Sequence, residues 1–196
     1  MTRRSGPISM SALGAMVLGS IAALGAVLTT HDGFLEVTYD HDGEDLISIT
    51  YPEGWMIDTE YVADAKAAGT YEGGEPEIRV VEAMPDDGTK LWIGMWTAPR
   101  VETLDEGLEY VASLDGSLFT DIEATEPETK EIGGMEARAF RGTAKRQGED
   151  VEFAVALLEA KKGVIVAVLY VGVPNTWENH EDELNAIVES VRPAGK

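Results

Sequence analysis

A group of acidic side chains around residue 40 is the first feature of this sequence that could perform chemistry. Asp40, Asp42 and Glu44 lie in alternation, and we refer to them as the hairpin carboxylates. Carboxylate oxygens are common ligands of divalent cations, so this segment is a candidate metal site. The spacing does not match an EF-hand, because Asp45 takes the sixth position, where glycine is required, and Tyr51 the twelfth, where glutamate is required. The other interpretation is a solvated turn between two strands.

Catalytic motifs are absent from the sequence. It contains no Gly-x-Ser-x-Gly, P-loop or Gly-x-Gly-x-x-Gly pattern, and it has no cysteine. His180 lies among acidic residues but lacks the His-x-x-x-His spacing of a zinc protease. Because 36 residues are acidic, pairs of carboxylates arise from composition alone. The sequence therefore predicts a protein that is not an enzyme and needs no cofactor, with a hydrolase as a remote alternative.

The net charge is strongly negative. The chain carries a formal charge of −21 at pH 7. A field of this sign repels phosphate backbones and anionic lipid headgroups, so no nucleic-acid partner is expected. The acidic excess serves either solubility in a salty medium or the attraction of cations or of a basic protein.

The N-terminal segment predicts the location. Arg3 and Arg4 precede an uncharged, apolar segment that runs from residue 8 to residue 28. Positive charge ahead of such a segment stays in the cytoplasm, so the acidic remainder is expected across the membrane. About 20 apolar residues are enough for a spanning helix, but the small residues Ala23 and Gly25 also fit a signal-peptide cleavage site.

Two locations are consistent with these alternatives. We predict that residues 1–30 are a signal peptide or a transmembrane anchor and that residues 31–196 form one globular domain. The domain is either periplasmic or secreted, or it is tethered to the cytoplasmic membrane through residues 8–28.

Turn signals divide the acidic region into antiparallel strands. Asp-Gly pairs separate apolar runs, which predicts two hairpins, 34–39 with 46–51 and 77–81 with 90–96. Three further runs predict a meander over 135–143, 151–158 and 164–171.

Two segments carry signals for the start of a helix. Thr103 and Glu106 form a capping box ahead of apolar residues at helical spacing. Asn175 is a possible cap for a second helix, which is expected to end at residues 192–193. A weaker pattern predicts a helical turn over residues 61–68.

The strand that begins near residue 90 is apolar on both alternating sides. Leu91 and Ile93 alternate with Trp92 and Trp96. A strand with one face in water alternates with polar residues, so this strand is central and covered on both faces. The two tryptophans either pack in a core or line a ligand pocket. We predict an α+β fold, a three-layer α/β/α sandwich whose largely antiparallel central sheet has about six strands.

Three short motifs carry a family resemblance. They are, in chain order, Ile47-Ser-Ile-Thr-Tyr-Pro-Glu-Gly-Trp55, Glu131-Ile-Gly-Gly-Met-Glu-Ala137 and Ile187-Val-Glu-Ser-Val-Arg192. In these motifs and their order the chain resembles PsbP-like domains over about residues 34–193. This superfamily includes the extrinsic PsbP subunit of photosystem II, a eukaryotic Ran-release factor and bacterial exported proteins such as LpqN-type lipoproteins. The resemblance implies the same antiparallel three-layer sandwich.

The resemblance also bears on function. Members of this superfamily share no catalytic constellation, and they tend to be accessory, scaffolding, chaperone-like or binding proteins. The leading hypothesis is therefore a non-enzymatic, exported or membrane-tethered accessory domain that binds a protein or a small ligand outside the cytoplasmic membrane. The alternative is an exported domain that binds a divalent cation through residues 40–45, and a hydrolase is the third hypothesis.

Overall fold

Two antiparallel sheets and three helices make up the described part of the chain. The computed structural model describes residues 26–31, 33–63, 77–114 and 119–195. In these ranges the helices are α1 (Leu104–Ser113), α2 (Thr176–Asn179) and α3 (Glu181–Ser190). The capping box predicted for α1 is confirmed, because Thr103 and Glu106 each accept a hydrogen bond from the backbone of the other.

The small sheet joins the N-terminal and C-terminal parts of the described chain. Its order is β1 (Ala26–His31), β2 (Phe34–His41), β3 (Glu44–Pro52) and β12 (Arg192–Pro193). The first predicted hairpin is confirmed as β2 and β3. Asp42 and Gly43 close its turn with φ of 55° and 78°, the left-handed pair that a tight hairpin turn requires.

The large sheet contains the second hairpin and the meander, both as predicted. The hairpin is β5 (Glu77–Pro85) with β6 (Leu91–Thr97), and the meander is β9 (Met135–Arg146), β10 (Glu149–Lys161) and β11 (Val164–Gly172). The other strands are β4 (Trp55–Ala63), β7 (Thr120–Ala124) and β8 (Glu128–Ile132). The strand order is β4-β5-β6-β11-β10-β9-β7, and β8 also pairs with β9.

Each face of the large sheet packs against its own apolar core. Leu91, Ile93 and Met95 pack with the small sheet and α3, whereas Trp92 and Trp96 lie on the other face, which α1 partly covers. The predicted division of this strand between two faces is confirmed. The fold is α+β with three layers: α1, the large sheet, and a mixed layer of α3 and the small sheet.

The sheets differ from the prediction in number and size. The central sheet has eight strands rather than about six, and a second sheet shares one outer layer with α3. Almost every residue of β7 and β8 is exposed, so these strands lack the apolar alternation that would reveal them in the sequence.

The predicted C-terminal helix is interrupted after Asn179. Asn175 has a φ of 68° and its side chain caps nothing. Glu152 of β10 accepts hydrogen bonds from the backbone nitrogens of Asn175 and Trp177 instead, at 3.2 and 2.6 Å. The predicted helical turn is wrong over residues 61–63, which belong to β4, and residues 64–68 lie outside the described residues.

The N-terminal prediction falls mostly outside the described residues. Residues 1–25 are not described, whereas Ala26–His31 form β1 and pair with β2. The strand thus begins inside the predicted apolar segment and ahead of the predicted domain boundary at residue 31. No helix in the described ranges is long and apolar enough to cross a bilayer.

Candidate functional site

Among the described residues, α1 covers only part of its face of the large sheet. Ten residues give α1 a length of about 15 Å, whereas the thirteen residues of β10 extend for about 43 Å. The helix approaches the sheet closely at Gly107, where an added Cβ atom would lie 3.1 Å from the Leu157 side chain and 3.4 Å from that of Ile165. Two depressions remain beside it on the same face of the sheet.

The first depression is the polar cleft, which has a volume of about 550 Å³. It lies at the end of the sheet formed by two turns, the one before β6 and the one between β9 and β10. Its aliphatic floor comes from β10 and β11, and its polar and aromatic lining comes from Glu82, Lys90, Trp92, Arg146, Gln147 and Glu149.

Trp92 forms an aromatic wall of the polar cleft. A Cβ atom at Gly94 would overlap the six-membered ring of Trp92, so only glycine at this position lets the indole lie along the strand. The guanidinium of Arg146 lies over the indole, 5.9 Å from its centroid, within the range of a cation–π interaction. Trp92 is partly exposed, so it remains accessible from the cleft.

The charges of the polar cleft balance. Lys90 Nζ lies 3.1 Å from Glu149 Oε2, and both side chains are about two-thirds exposed, so this ion pair contributes little to stability. Arg146 and the buried Glu82 add one formal charge of each sign. The cleft therefore presents hydrogen-bond donors and acceptors with no net formal charge, although the whole chain carries a formal charge of −21.

The second depression is the apolar pocket, with a volume of about 370 Å³. Its main lining residues are Trp96, Leu108, Val111, Phe119, Phe140 and Phe153. Phe153 stacks on Phe119 at 5.8 Å and meets the edge of Phe140 at 6.3 Å. Trp92, Val171 and Phe153 are register partners on adjacent strands, and this row separates the two depressions.

Comparison with solved structures identifies the architecture that carries these depressions. Cyanobacterial PsbP (CyanoP) from Synechocystis sp. PCC 6803 aligns with 90% of this chain and 98% of its own, with 15% sequence identity and a TM-score of 0.53. The chain has a PsbP-like fold. The fold implied by the sequence motifs is thereby confirmed.

Two further solved structures align with lower scores. LpqN of Mycobacterium tuberculosis is 12% identical over 83% of this chain and 92% of its own, with a TM-score of 0.44. PA94 from Pseudomonas aeruginosa is 12% identical over 88% of this chain and 99% of its own, with a TM-score of 0.48. The fold assignment rests on CyanoP. Neither a family model nor a curated protein matches the sequence.

In this PsbP-like fold the hairpin carboxylates lie at the turn of the small sheet and have separate partners. Asp40 Oδ2 accepts a hydrogen bond from Arg79 Nη1 at 2.9 Å, and Glu44 pairs with Lys161. Asp42 is 90% exposed and lies 3.6 Å from His41. Among the described residues, no group of three or more histidine, aspartate or glutamate side chains is placed to hold a metal ion. The cation site stays a prediction, and a bound cation would compete with these ion pairs for the carboxylates.

A partly buried carboxylate on the opposite face has a structural task. Glu152 accepts a hydrogen bond from Tyr170 Oη at 2.9 Å in addition to those from the start of α2. Burial raises the pKa of the Tyr170 hydroxyl, and the hydrogen bond to Glu152 raises it further. Glu152 therefore ties the C-terminal segment of the PsbP-like domain to the large sheet.

The sequence revealed the walls of the two depressions but not their polar groups. It left open whether Trp92 and Trp96 pack in a core or line a pocket, and the structure places Trp92 in the polar cleft and Trp96 in the apolar pocket. Arg146 and Lys90 were missed because each lies beside a turn, where a charged residue is ordinarily interpreted as solvated. The Gly94 that lies two residues after Trp92 was the available signal, since glycine inside a strand indicates close approach.

Proposed function

We propose that this PsbP-like chain is a non-enzymatic accessory domain that binds a small polar molecule in the polar cleft, outside the cytoplasmic membrane. The observation that carries this proposal is the convergence of Trp92, Arg146, Lys90 and Glu149 on one cavity of about 550 Å³. Small-molecule sites have this size and combine an apolar wall with a few polar groups that fix orientation.

The lining favours a neutral ligand with hydroxyl groups. Balanced charges provide no net attraction for an ion, but they offer both donors and acceptors of charge-assisted hydrogen bonds. The indole of Trp92 offers a flat apolar surface for stacking. A sugar ring meets both requirements, because it has an apolar C–H face and a rim of hydroxyl groups. A neutral mono- or disaccharide is therefore the ligand class that we propose.

The proposed location is supported by the N-terminal sequence. Arg3 and Arg4 precede the apolar segment 8–28, an arrangement that directs the downstream chain across the membrane. The test is an alkaline phosphatase fusion after Lys196, which is expected to be active, with a matched β-galactosidase fusion inactive. An active β-galactosidase fusion would refute the location without bearing on the ligand.

The ligand class is tested by saturation-transfer difference NMR with a panel of neutral mono- and disaccharides. We expect at least one sugar to bind, and Arg146→Gln to weaken its binding by at least about tenfold, because hydrogen bonds to a charged donor contribute about 1.5–3 kcal/mol. Lys130→Gln is the matched control, since Lys130 pairs with Glu128 on the exposed strand β8. Failure of the whole panel would contradict the ligand class, and binding insensitive to Arg146→Gln would contradict the site.

A further inference from the structure

The apolar pocket differs in chemistry from the polar cleft and carries a separate inference. We infer that it is a second binding site, which takes the hydrocarbon chain of a small molecule. This inference does not depend on the sugar proposed for the polar cleft, because the two depressions lie on opposite sides of the row formed by Trp92, Val171 and Phe153.

The lining selects an apolar occupant. Among the described residues that line it, none is charged, and Thr125 carries the one hydroxyl group. Side chains from α1 and from five strands of the large sheet, β6, β11, β10, β9 and β7, converge on a volume of about 370 Å³. This volume falls within the range of small-molecule sites. An ionic or hydroxylated group inside it would lose its hydration without gaining partners. A saturated chain would bury its surface at no such cost.

Among the described residues, the exposed rim of the pocket includes side chains of α1 and β7, and we refer to this rim as the mouth. Ile122 of β7 lines the pocket and is 38% exposed, so an apolar side chain meets water at the rim. The pairing of β7 with β9 is interrupted between Thr120 and Glu123, which leaves this wall less tightly joined to the sheet. Across the mouth, Ala112 of α1 lines the pocket and is exposed.

These features favour the hydrocarbon chain of a small molecule over a protein surface as the occupant. The apolar area is concave and lies between a helix and a sheet, whereas a flat patch would suit a second copy of this domain. A hydrocarbon chain enters such a mouth end-on, so that the polar end of the molecule stays in water at the rim. There the exposed strand β7 is rich in polar residues.

The test uses a neutral fluorescent probe, N-phenyl-1-naphthylamine, with 1-decanol as the competing chain. We expect saturable binding at one site per chain and full displacement by decanol. Ala112→Trp should weaken the probe about tenfold or more by filling the mouth. Ala186→Trp on α3 is the matched control, because Ala186 is also an exposed helical alanine but lies on the other side of the molecule, and it should leave binding unchanged.

Several outcomes would overturn the inference. One is the absence of saturable probe binding to the wild-type chain; another is equal binding by Ala112→Trp and wild type. A third is self-association in analytical ultracentrifugation that Ile122→Lys abolishes, together with no displacement by decanol, because this would assign the pocket to a second copy of the chain. Both helical substitutions replace exposed alanines, so circular dichroism is expected to show folded variants.

Discussion

Trp55 connects two layers of the molecule, and its substitution tests the packing most directly. The residue begins β4 and is only 7% exposed. Its Nε1 donates a hydrogen bond of 2.6 Å to Glu183 Oε1 on α3, and its ring lies 5.4 Å from that of Tyr51 in the small sheet. One side chain therefore joins both sheets and a helix.

Two substitutions separate the packing of Trp55 from its hydrogen bond. Trp55→Ala empties a buried aromatic site, which should lower the free energy of unfolding by about 3–5 kcal/mol. Trp55→Phe keeps most of the apolar contact and removes the donor. A hydrogen bond to a charged group contributes about 1.5–3 kcal/mol, but Glu183 is 31% exposed. Since water and His180 also reach that carboxylate, we expect a loss of about 1 kcal/mol.

Urea denaturation followed by tryptophan fluorescence measures both effects. A double-mutant cycle of Trp55→Phe with Glu183→Ala should give a coupling energy of about 1 kcal/mol, in the range seen for residues in direct contact. A Trp55→Ala variant as stable as wild type would mean that the indole is exposed. A coupling energy near zero would mean that the hydrogen bond does not hold α3 to β4. Either result would refute this account of how the layers are joined.

Three further predictions concern the cleft, the buried tyrosine and the cation hypothesis. Gly94→Ala should displace the Trp92 indole at a cost of about 1–3 kcal/mol and abolish sugar binding in the polar cleft; unchanged fluorescence and binding would contradict the role of this glycine. Because its folded pKa is raised, Tyr170 contributes stability that is fully present below the ordinary tyrosine pKa and is lost as the pH rises above about 10. In chemical denaturation from pH 8 to 11, the free energy of unfolding of Tyr170→Phe should fall less steeply than that of wild type. Parallel curves would contradict this contribution of Tyr170. Calorimetry with Ca²⁺ should show no stoichiometric site at the hairpin carboxylates, since two of them already pair with the basic side chains Arg79 and Lys161. Binding of one saturable ion per chain, lost when all three carboxylates are replaced together, would establish the cation site.

Local signals explain why much of the fold could be predicted. Asp42 and Gly43 specify their turn through backbone conformation, and the capping box of Thr103 and Glu106 needs no distant partner. Strand β1 shows the limit of such signals. Its first residues continue an apolar, small-residue segment, and only pairing with β2 makes them a strand. Tertiary pairing of this kind leaves no periodic pattern to detect.

The candidate site was harder to predict because it depends on strand order. Lys90 and Glu149 are 59 residues apart in the chain, and they meet only because β6, β11 and β10 are neighbours in the sheet. The alternation around Trp92 indicates which face each residue occupies, but not which turn lies opposite. The apolar lining was therefore visible in the sequence, whereas the partners of Arg146 and Lys90 were not.

The C-terminal residues that close the small sheet have a consequence for the biogenesis of the protein. Arg192 Nη2 lies 2.7 Å from Glu36 Oε1 across 156 residues, and Ser190 Oγ accepts a hydrogen bond from the Thr50 nitrogen across 140. Contacts between such distant segments form late and slow folding. The outer layer thus stays incomplete until residues 190–193 have been synthesised. Under the proposed export with the N-terminus first, this delay would keep the polypeptide translocation-competent, and folding would begin on arrival.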